Sequence, residues 1–484
     1  MNDNDEKNIV KSISILGGTQ VVNIGVGIIR NKVVSVLLGA AGMGIMSLYQ
    51  STSDIISTIS NMGTSTTAVK NISNAYSDRE AEQLGFVHEA FKKIVTVTGL
   101  IGFLICLLSA PLLSNINFGD YDHIWQFALL SLSILSLQLV AGYTTLLQGC
   151  RMFKKMSKAI IVGNVGGLII CIPLYYFFGI NAIVPVMVLY PVVNYIVLKK
   201  AATSIKVIKV KVTYKEAILY GKNIIKTGFY ICLQSLFSLL YIYLIRLFLR
   251  ENGGLATVGL FSAGMLIVNK YVGLVFSSMG TEYYPRLSSI TDSLMFVEAI
   301  NNQIKRSILL LAPLICSMML LMPLVVRILF SDEFISIVGM AIFLLSSIGF
   351  RIIEWSIGFS FIARGKTGLL FTNEFSFKIY TFLISIFLYL KFGLLGIGIS
   401  YLISEVIFSV QSYYIASKKW GFAFSTDCRN VFVKSILGIL VCLAVNIWTT
   451  GLWGYGVSII IIAIFFFQLY LYLKTVRNGK STIS

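Results

Sequence analysis

Fourteen apolar stretches, most of them about 20 residues or longer, run through this 484-residue chain from one end to the other. At about 1.5 Å of rise per residue, roughly 20 such residues in a helix cover the ~30 Å hydrocarbon core of a bilayer. In that solvent every backbone N–H and C=O has to be satisfied within the protein, and for apolar runs of this length the helix is the structure that does so. The stretches cover 12–38, 44–68, 90–113, 123–147, 158–178, 181–198, 217–249, 256–282, 306–329, 338–362, 367–391, 394–416, 431–450 and 453–473. The expected fold is an all-α polytopic membrane protein with about 14 transmembrane helices, and the breaks at 179–181 and 392–393 are tight turns.

Charge supports that class and orients it. Only 12% of residues are charged and 56% are hydrophobic, against about 25% charged in soluble domains. Residues 1–11 are polar and acidic, with no short apolar segment leading to a small-residue cleavage site, so no secretory signal peptide is expected and the first helix directs insertion. Basic residues gather on one side of the membrane: Lys7, Lys11, Lys70, Arg79, the Arg151, Lys154, Lys155 and Lys158 cluster, the 199–215 stretch, Arg364, Lys366, Lys418, Lys419, Lys474 and Arg477. Loops on the opposite side hold Arg250, Arg327 and Lys391 beside Asp120, Asp122, Glu251, Asp332 and Glu333. The positive-inside rule then places both termini in the cytoplasm. Much of the net charge of +18 is accounted for in this way, so it does not indicate nucleic-acid binding.

An internal repeat gives the architecture. Gly44-Ile-Met-Ser47 is echoed by Gly259-Leu-Phe-Ser262, 215 positions on; Phe178-Gly179-Ile180 by Phe392-Gly393-Leu394, 214 on; and Arg151 by Arg364, 213 on. An offset of six helices is even, so the two copies share one orientation and are expected to be related by a pseudo-twofold axis along the membrane normal. The expected organisation is an N-terminal lobe over 1–205, a C-terminal lobe over 206–425, and two additional helices with a cytoplasmic tail over 426–484.

Cations inside the apolar runs carry the functional argument: Arg30, Lys32, Lys222, Lys226, Arg246, Lys270, Arg351 and Lys378. Near the centre of a membrane helix each costs roughly 2.5–3.5 kcal/mol even on a lenient insertion scale. Such residues persist where they face a wet cavity or a counter-charge, so the interior is expected to be cationic and suited to an anionic substrate. Lys270 and Arg246 lie deep, whereas Lys222 and Lys226 share a face near the cytoplasmic end and can snorkel to headgroups. Gln20, Asn23, Gly27 and Arg30 fall on one face of the first helix, and Gln50, Asp54, Ser57 and Asn61 on one face of the second. These stripes serve either a cavity wall or helix-to-helix hydrogen bonding. Arg351 is expected to pair with Glu354 and Lys378 with Glu374 at helical spacing. Asp54 and Glu405 are the candidates for a coupling cation or proton; for Glu405, a pair with Arg351 or Lys378 stands as the alternative.

Other motifs lead nowhere. Asp120-Tyr-Asp122 sits in a short external loop and reads as a solvated turn, His88 and His123 are isolated, and the seven cysteines show no paired spacing. No phosphate loop, catalytic constellation, metal site or cofactor is expected.

Some stretches resemble a known family. Leu37-Leu-Gly-Ala-Ala-Gly-Met-Gly44 with Leu48-Tyr-Gln50, Val258-Gly-Leu-Phe-Ser262 with Tyr271-Val-Gly-Leu-Val-Phe276, and Gly280-Thr-Glu-Tyr-Tyr-Pro-Arg-Leu287 look like bacterial polysaccharide flippases. These belong to the multidrug/oligosaccharidyl-lipid/polysaccharide exporter superfamily, and the second and third stretches resemble its O-antigen translocases of the Wzx type. The resemblance implies two six-helix lobes and an alternating-access carrier in the bacterial inner membrane. It implies transfer of an undecaprenyl-diphosphate-linked glycan, an O-antigen or capsular repeat unit, between leaflets, driven by an ion gradient or the membrane potential. The implied setting is lipopolysaccharide or capsule assembly alongside polysaccharide polymerase machinery. Two alternatives stand: a MATE-like multidrug exporter of the same superfamily, for whose organic cations a basic interior has the wrong sign, and a glycan polymerase or ligase, which would need larger external loops than these.

Overall fold

The computed structural model describes residues 3–477 apart from 78–80, 206, 209 and 449–451. Fifteen α-helices are formed among the described residues, joined by short connections. In chain order they are α1 (Asp3–Asn61), α2 (Thr64–Ser77), α3 (Ala81–Leu108), α4 (Ala110–Phe118), α5 (Ile124–Gly149), α6 (Phe153–Phe178), α7 (Ile183–Ala202) and α8 (Tyr214–Leu266). There follow α9 (Gly273–Ser289), α10 (Ser293–Leu329), α11 (Val338–Ala363), α12 (Thr367–Phe392), α13 (Leu394–Trp420), α14 (Thr426–Trp448) and α15 (Leu452–Arg477). Eleven stretches are long and apolar enough to cross a membrane, and three of these are interrupted, at Gly39, Gly179 and Gly254, so that fourteen crossings result.

Those three interruptions and the Gly393 junction between two further stretches share one backbone conformation. Gly39 (φ 67°, ψ −169°), Gly254 (φ 76°, ψ 178°), Gly179 (φ 55°, ψ −133°) and Gly393 (φ 58°, ψ −142°) all combine positive φ with extended ψ, a region that a Cβ closes to other residues. Gly39 and Gly254 are 215 positions apart, and Gly179 and Gly393 are 214 apart, so the repeat read from the sequence is also a repeat of the backbone. The third match shifts by one. Met152 N–H donates to the Leu147 carbonyl at 2.9 Å, and Lys366 N–H to the Phe361 carbonyl at 2.7 Å. Both are six-to-one bonds closing a helix end around a left-handed residue. That residue is Arg151 (φ 55°) in one copy and Gly365 (φ 67°) in the other, so Arg151 corresponds to Gly365 and not to Arg364.

The second apolar run, expected to extend to residue 68, stops earlier. Met62 and Gly63 adopt φ values of 48° and 70°, and the chain starts afresh as the short amphipathic α2. A Cβ at Gly63 would strike the Gly228 carbonyl oxygen, so the break brings α8 against this corner. The eighth run is also modified: α8 passes into a π-helical segment, Ile267–Val272, before α9 begins.

The chain forms two compact units, Met1–Gly259 and Leu260–Ser484. In the first, Ile72, Phe91, Leu146, Leu147 and Leu198 form a core shared by α2, α3, α5 and α7, and Ala217 and Ile224 of α8 join Ala90 and Ile94 of α3. A Thr213–Glu216 capping box starts α8: Thr213 N–H donates to the Glu216 carboxylate at 2.7 Å, and Glu216 N–H to the Thr213 hydroxyl at 3.3 Å. These bonds hold the Glu216 carboxyl below its usual range. A close crossing within this unit joins the two GxxS echoes. A Cβ at Gly44 would fall on the Leu255 carbonyl, and one at Gly259 on the Ala40 carbonyl. Small residues at such crossings let membrane helices approach to backbone contact. In the second unit α11 lies among α10, α12, α13 and α14, with Ile348, Ile352, Ile357 and Phe361 buried along it.

Candidate functional site

The first half of α1 carries Arg30 nine residues before the Gly39 break, roughly 13 Å along the helix from that end. Its guanidinium lies 5.5 Å from the centre of the Tyr190 ring of α7, a cation–π contact of about 0.5–2 kcal/mol. The Tyr190 hydroxyl donates to Asn164 Oδ1 at 2.9 Å, and Asn164 Nδ2 donates to Asn23 Oδ1 at 2.9 Å. Asn23 and Arg30 are thus held by one chain of contacts through α6 and α7. Gln20, two turns before Gly27, is exposed, and Gly27 is buried. Among the described residues no carboxylate lies within ion-pair distance of Arg30, and its Nε is buried without a hydrogen-bond partner.

The second half of α1 holds the other stripe. Gln50 Nε2 donates to Asp54 Oδ1 at 2.8 Å, as i,i+4 spacing allows. Asn61 Nδ2 donates to Gln138 Oε1 at 2.9 Å and Ser65 Oγ at 3.0 Å. Gln138 of α5, the partner that local patterning missed, donates in turn to the Ser57 carbonyl at 2.7 Å and Ser60 Oγ at 3.0 Å. The available signal was a Gln at mid-run, twelve residues from Gln126, on a helix that also carries Ser131, Ser133 and Ser136. Asp54, Ser57 and Asn61 line one cavity of about 480 Å³ with residues of α5 and α8. Arg246 of α8 bonds Ser51 Oγ and the Ser47 carbonyl, the latter at 3.2 Å, and its charge acts on Asp54. Arg246 and the Asp54 stripe are therefore brought together.

Lys222 is exposed near the start of α8. The side chains of Lys226 and Lys270 lie outside the described residues; the backbone of Lys270 falls in the π-helical segment.

The second unit contains a separate set of charges. Arg351 of α11 does not pair with Glu354, the expected partner; it binds Glu405 of α13, with Nη2 at 2.6 Å and Nε at 2.8 Å from Oε1. Three-residue spacing favoured Glu354, but α11 and α13 lie side by side and bring Glu405 across. Glu405, left open between a coupling role and a pair, is found in the pair. Lys378 meets Glu374 at 3.3 Å as expected. The two intramembrane cations of this set, Arg351 and Lys378, thus each have a carboxylate.

Together the helical crossings, the intramembrane charges and the polar cavity define a polytopic membrane protein with the fold of known transporters. The chain belongs to the polysaccharide biosynthesis protein family, whose profile matches residues 9–291. Among solved structures it is similar to the lipid II flippase MurJ in an inward closed conformation, with a TM-score of 0.68 and 14% identity over 97% of this chain and 99% of that one. The MATE multidrug transporter DinF-BH gives a TM-score of 0.58 at 16% identity, covering 87% of this chain and 96% of that one. A MOP superfamily transporter from Pyrococcus furiosus, described as having a binding pocket of reverse polarity, gives 0.57 at 14% identity over 84% and 95%. These neighbours are transporters and flippases, not enzymes. No curated protein matches the chain in sequence.

Proposed function

We propose that the chain is a flippase for a lipid-linked oligosaccharide joined to its polyprenol by a diphosphate. Its substrate is an undecaprenyl-diphosphate-linked O-antigen or capsular repeat unit, carried from the inner to the outer leaflet of a bacterial cytoplasmic membrane. Both termini face the cytoplasm, and an ion gradient or the membrane potential supplies the driving force. Family membership supports a role in polysaccharide assembly. The observation that carries the reading is Arg30: a guanidinium within a membrane-crossing helix, steadied by Tyr190, with no carboxylate in ion-pair distance among the described residues. A permanent cation in that setting is favourable where an anion visits it. Organic cations, the cargo of the rival drug-exporter reading, would be repelled there.

Complementation of a deletion strain with Arg30→Ala tests this, with lipid-linked glycan on each leaflet followed by mass spectrometry. A hydrogen bond to a charged group contributes about 1.5–3 kcal/mol, so export is expected to fall roughly 10- to 100-fold at normal protein abundance. Arg30→Lys keeps the charge but not the fork, and retains part of the activity. Wild-type export by Arg30→Ala refutes the reading.

A further inference from the structure

Where α6 starts and α7 ends, the hairpin of these two helices carries Lys154, Lys155, Lys158, Lys199 and Lys200, all exposed. Two close approaches fix the register of the pair. A Cβ at Gly163 would strike Asn194, and one at Gly167 the Tyr190 ring. The helices run antiparallel, so Lys158, five residues before Gly163, is level with Lys199 and Lys200, five and six residues beyond Asn194. Counted at about 100° per residue from the Gly163–Asn194 contact, Lys155, Lys158 and Lys200 fall on one flank of the hairpin and Lys199 on the other. Lys199 is engaged there, its Nζ 5.5 Å from the centre of the Tyr195 ring. The other three enter no ion pair among the described residues.

Beyond these lysines the surface changes character. Every exposed residue of α6 past Lys158 is apolar or aromatic, Val162 and Ile169 among them, and those of α7 before Lys199 are Leu189 and Ile196. A water-filled passage would carry polar groups at that depth, whereas this strip suits acyl chains. A soluble anion would use the lysines and leave the strip bare; an amphiphile with an anionic head uses both. We propose that this flank of the α6–α7 hairpin is a site for an anionic phospholipid of the cytoplasmic leaflet, its phosphate on Lys155, Lys158 and Lys200 and its chains along Val162, Ile169 and Ile196. The three like charges repel one another across the helices whose Asn164 and Tyr190 hold Asn23 and Arg30, and a shared phosphate offsets that repulsion. The site is independent of what the protein carries; only its leaflet depends on the proposed orientation.

The experiment titrates the purified full-length protein, in a nonionic detergent, with dioleoyl phosphatidylglycerol, dioleoyl phosphatidylcholine and glycerol phosphate, and counts bound molecules by native mass spectrometry. A lysine beside an anionic lipid contributes about fivefold in affinity, so the wild type is expected to bind phosphatidylglycerol roughly 100-fold more tightly than phosphatidylcholine, and glycerol phosphate far more weakly. Lys158→Gln with Lys200→Gln should remove roughly 25-fold of that preference. Lys199→Gln removes the same charge as Lys200→Gln at the same depth, on the other flank, and should leave the preference within about twofold of wild type. Equal wild-type affinity for the two phospholipids overturns the site. Equal losses in Lys199→Gln and Lys200→Gln overturn it in favour of diffuse surface charge, and glycerol phosphate that binds as tightly as phosphatidylglycerol overturns it in favour of a soluble anion. Undecaprenyl diphosphate bound in preference to phosphatidylglycerol, and lost in the same double variant, overturns it in favour of the carried lipid.

Discussion

Replacing Glu405 with Gln isolates the question of what that carboxylate does. Its side chain is 2% exposed and that of Arg351 27%, and Oε1 receives both guanidinium contacts, at 2.6 and 2.8 Å. Gln preserves the shape and leaves Arg351 largely buried with its charge uncompensated. Breaking such a pair from one side costs about 3–5 kcal/mol. Because the Arg351 side chain keeps 27% of its surface accessible, the low end, about 3 kcal/mol, applies. For a unit the size of Leu260–Ser484 that corresponds to a drop of roughly 6–12 °C in the unfolding midpoint. Among the described residues no donor reaches the buried Glu405 Oε2, so the native pair is imperfectly solvated. The double variant Arg351→Met with Glu405→Gln, which removes both charges, is therefore expected to recover most of the loss. The assay is thermal unfolding of purified protein in detergent, paired with gradient-driven flipping in proteoliposomes. A Glu405→Gln protein that melts within about 2 °C of wild type, yet no longer flips under a gradient, would refute the structural assignment and return Glu405 to the coupling step.

Two more outcomes are expected. Gly44→Ala and Gly259→Ala put a Cβ onto the Leu255 and Ala40 carbonyls and should each lower thermal stability by more than about 2 kcal/mol, whereas Gly368→Ala, which meets open space at a helix-compatible φ, should be neutral or stabilising by about 0.5–1 kcal/mol; equal effects at all three sites would exclude the tight crossing. Single cysteines introduced into the 203–213 and 119–123 connections of a cysteine-free background should label from opposite sides of the membrane in intact cells, and labelling from one side would contradict the fourteen-crossing topology.

Hydropathy made the crossings legible because each must satisfy the same solvent, whatever its neighbours. The repeat was legible where a glycine sat beside an aromatic residue, at 178–180 and 392–394. Gly39 is followed by Gly42 and Gly44, and Gly254 is preceded by Asn252 and Gly253, so several turn residues compete there and the one that breaks the helix emerges only from the backbone. Local spacing found the Glu374–Lys378 pair and put Gln50 and Asp54 on one face, where they bond to each other, since helical geometry alone creates both. It failed for Arg351, whose partner lies 54 positions away on a neighbouring helix, and for Gln138, whose partners lie near the end of α1. Contacts of that kind depend on which helices lie side by side, and no periodicity within one run encodes that.

The four glycine junctions also bear on how the chain enters its membrane. Under the proposed orientation Gly39, Gly179, Gly254 and Gly393 all turn on the outer side. At Gly393 one helix ends and the next begins one residue later. During biosynthesis a connection of this kind leaves almost no polar loop to be carried across the hydrocarbon, so its two helices are suited to cross together as a preformed hairpin. The outward translocation step, the costly one for a long hydrophilic loop, is thereby reduced at Gly39 and Gly179 to moving a few uncharged residues, while the turns at Gly254 and Gly393 carry only Arg250, Glu251 and Lys391 with them.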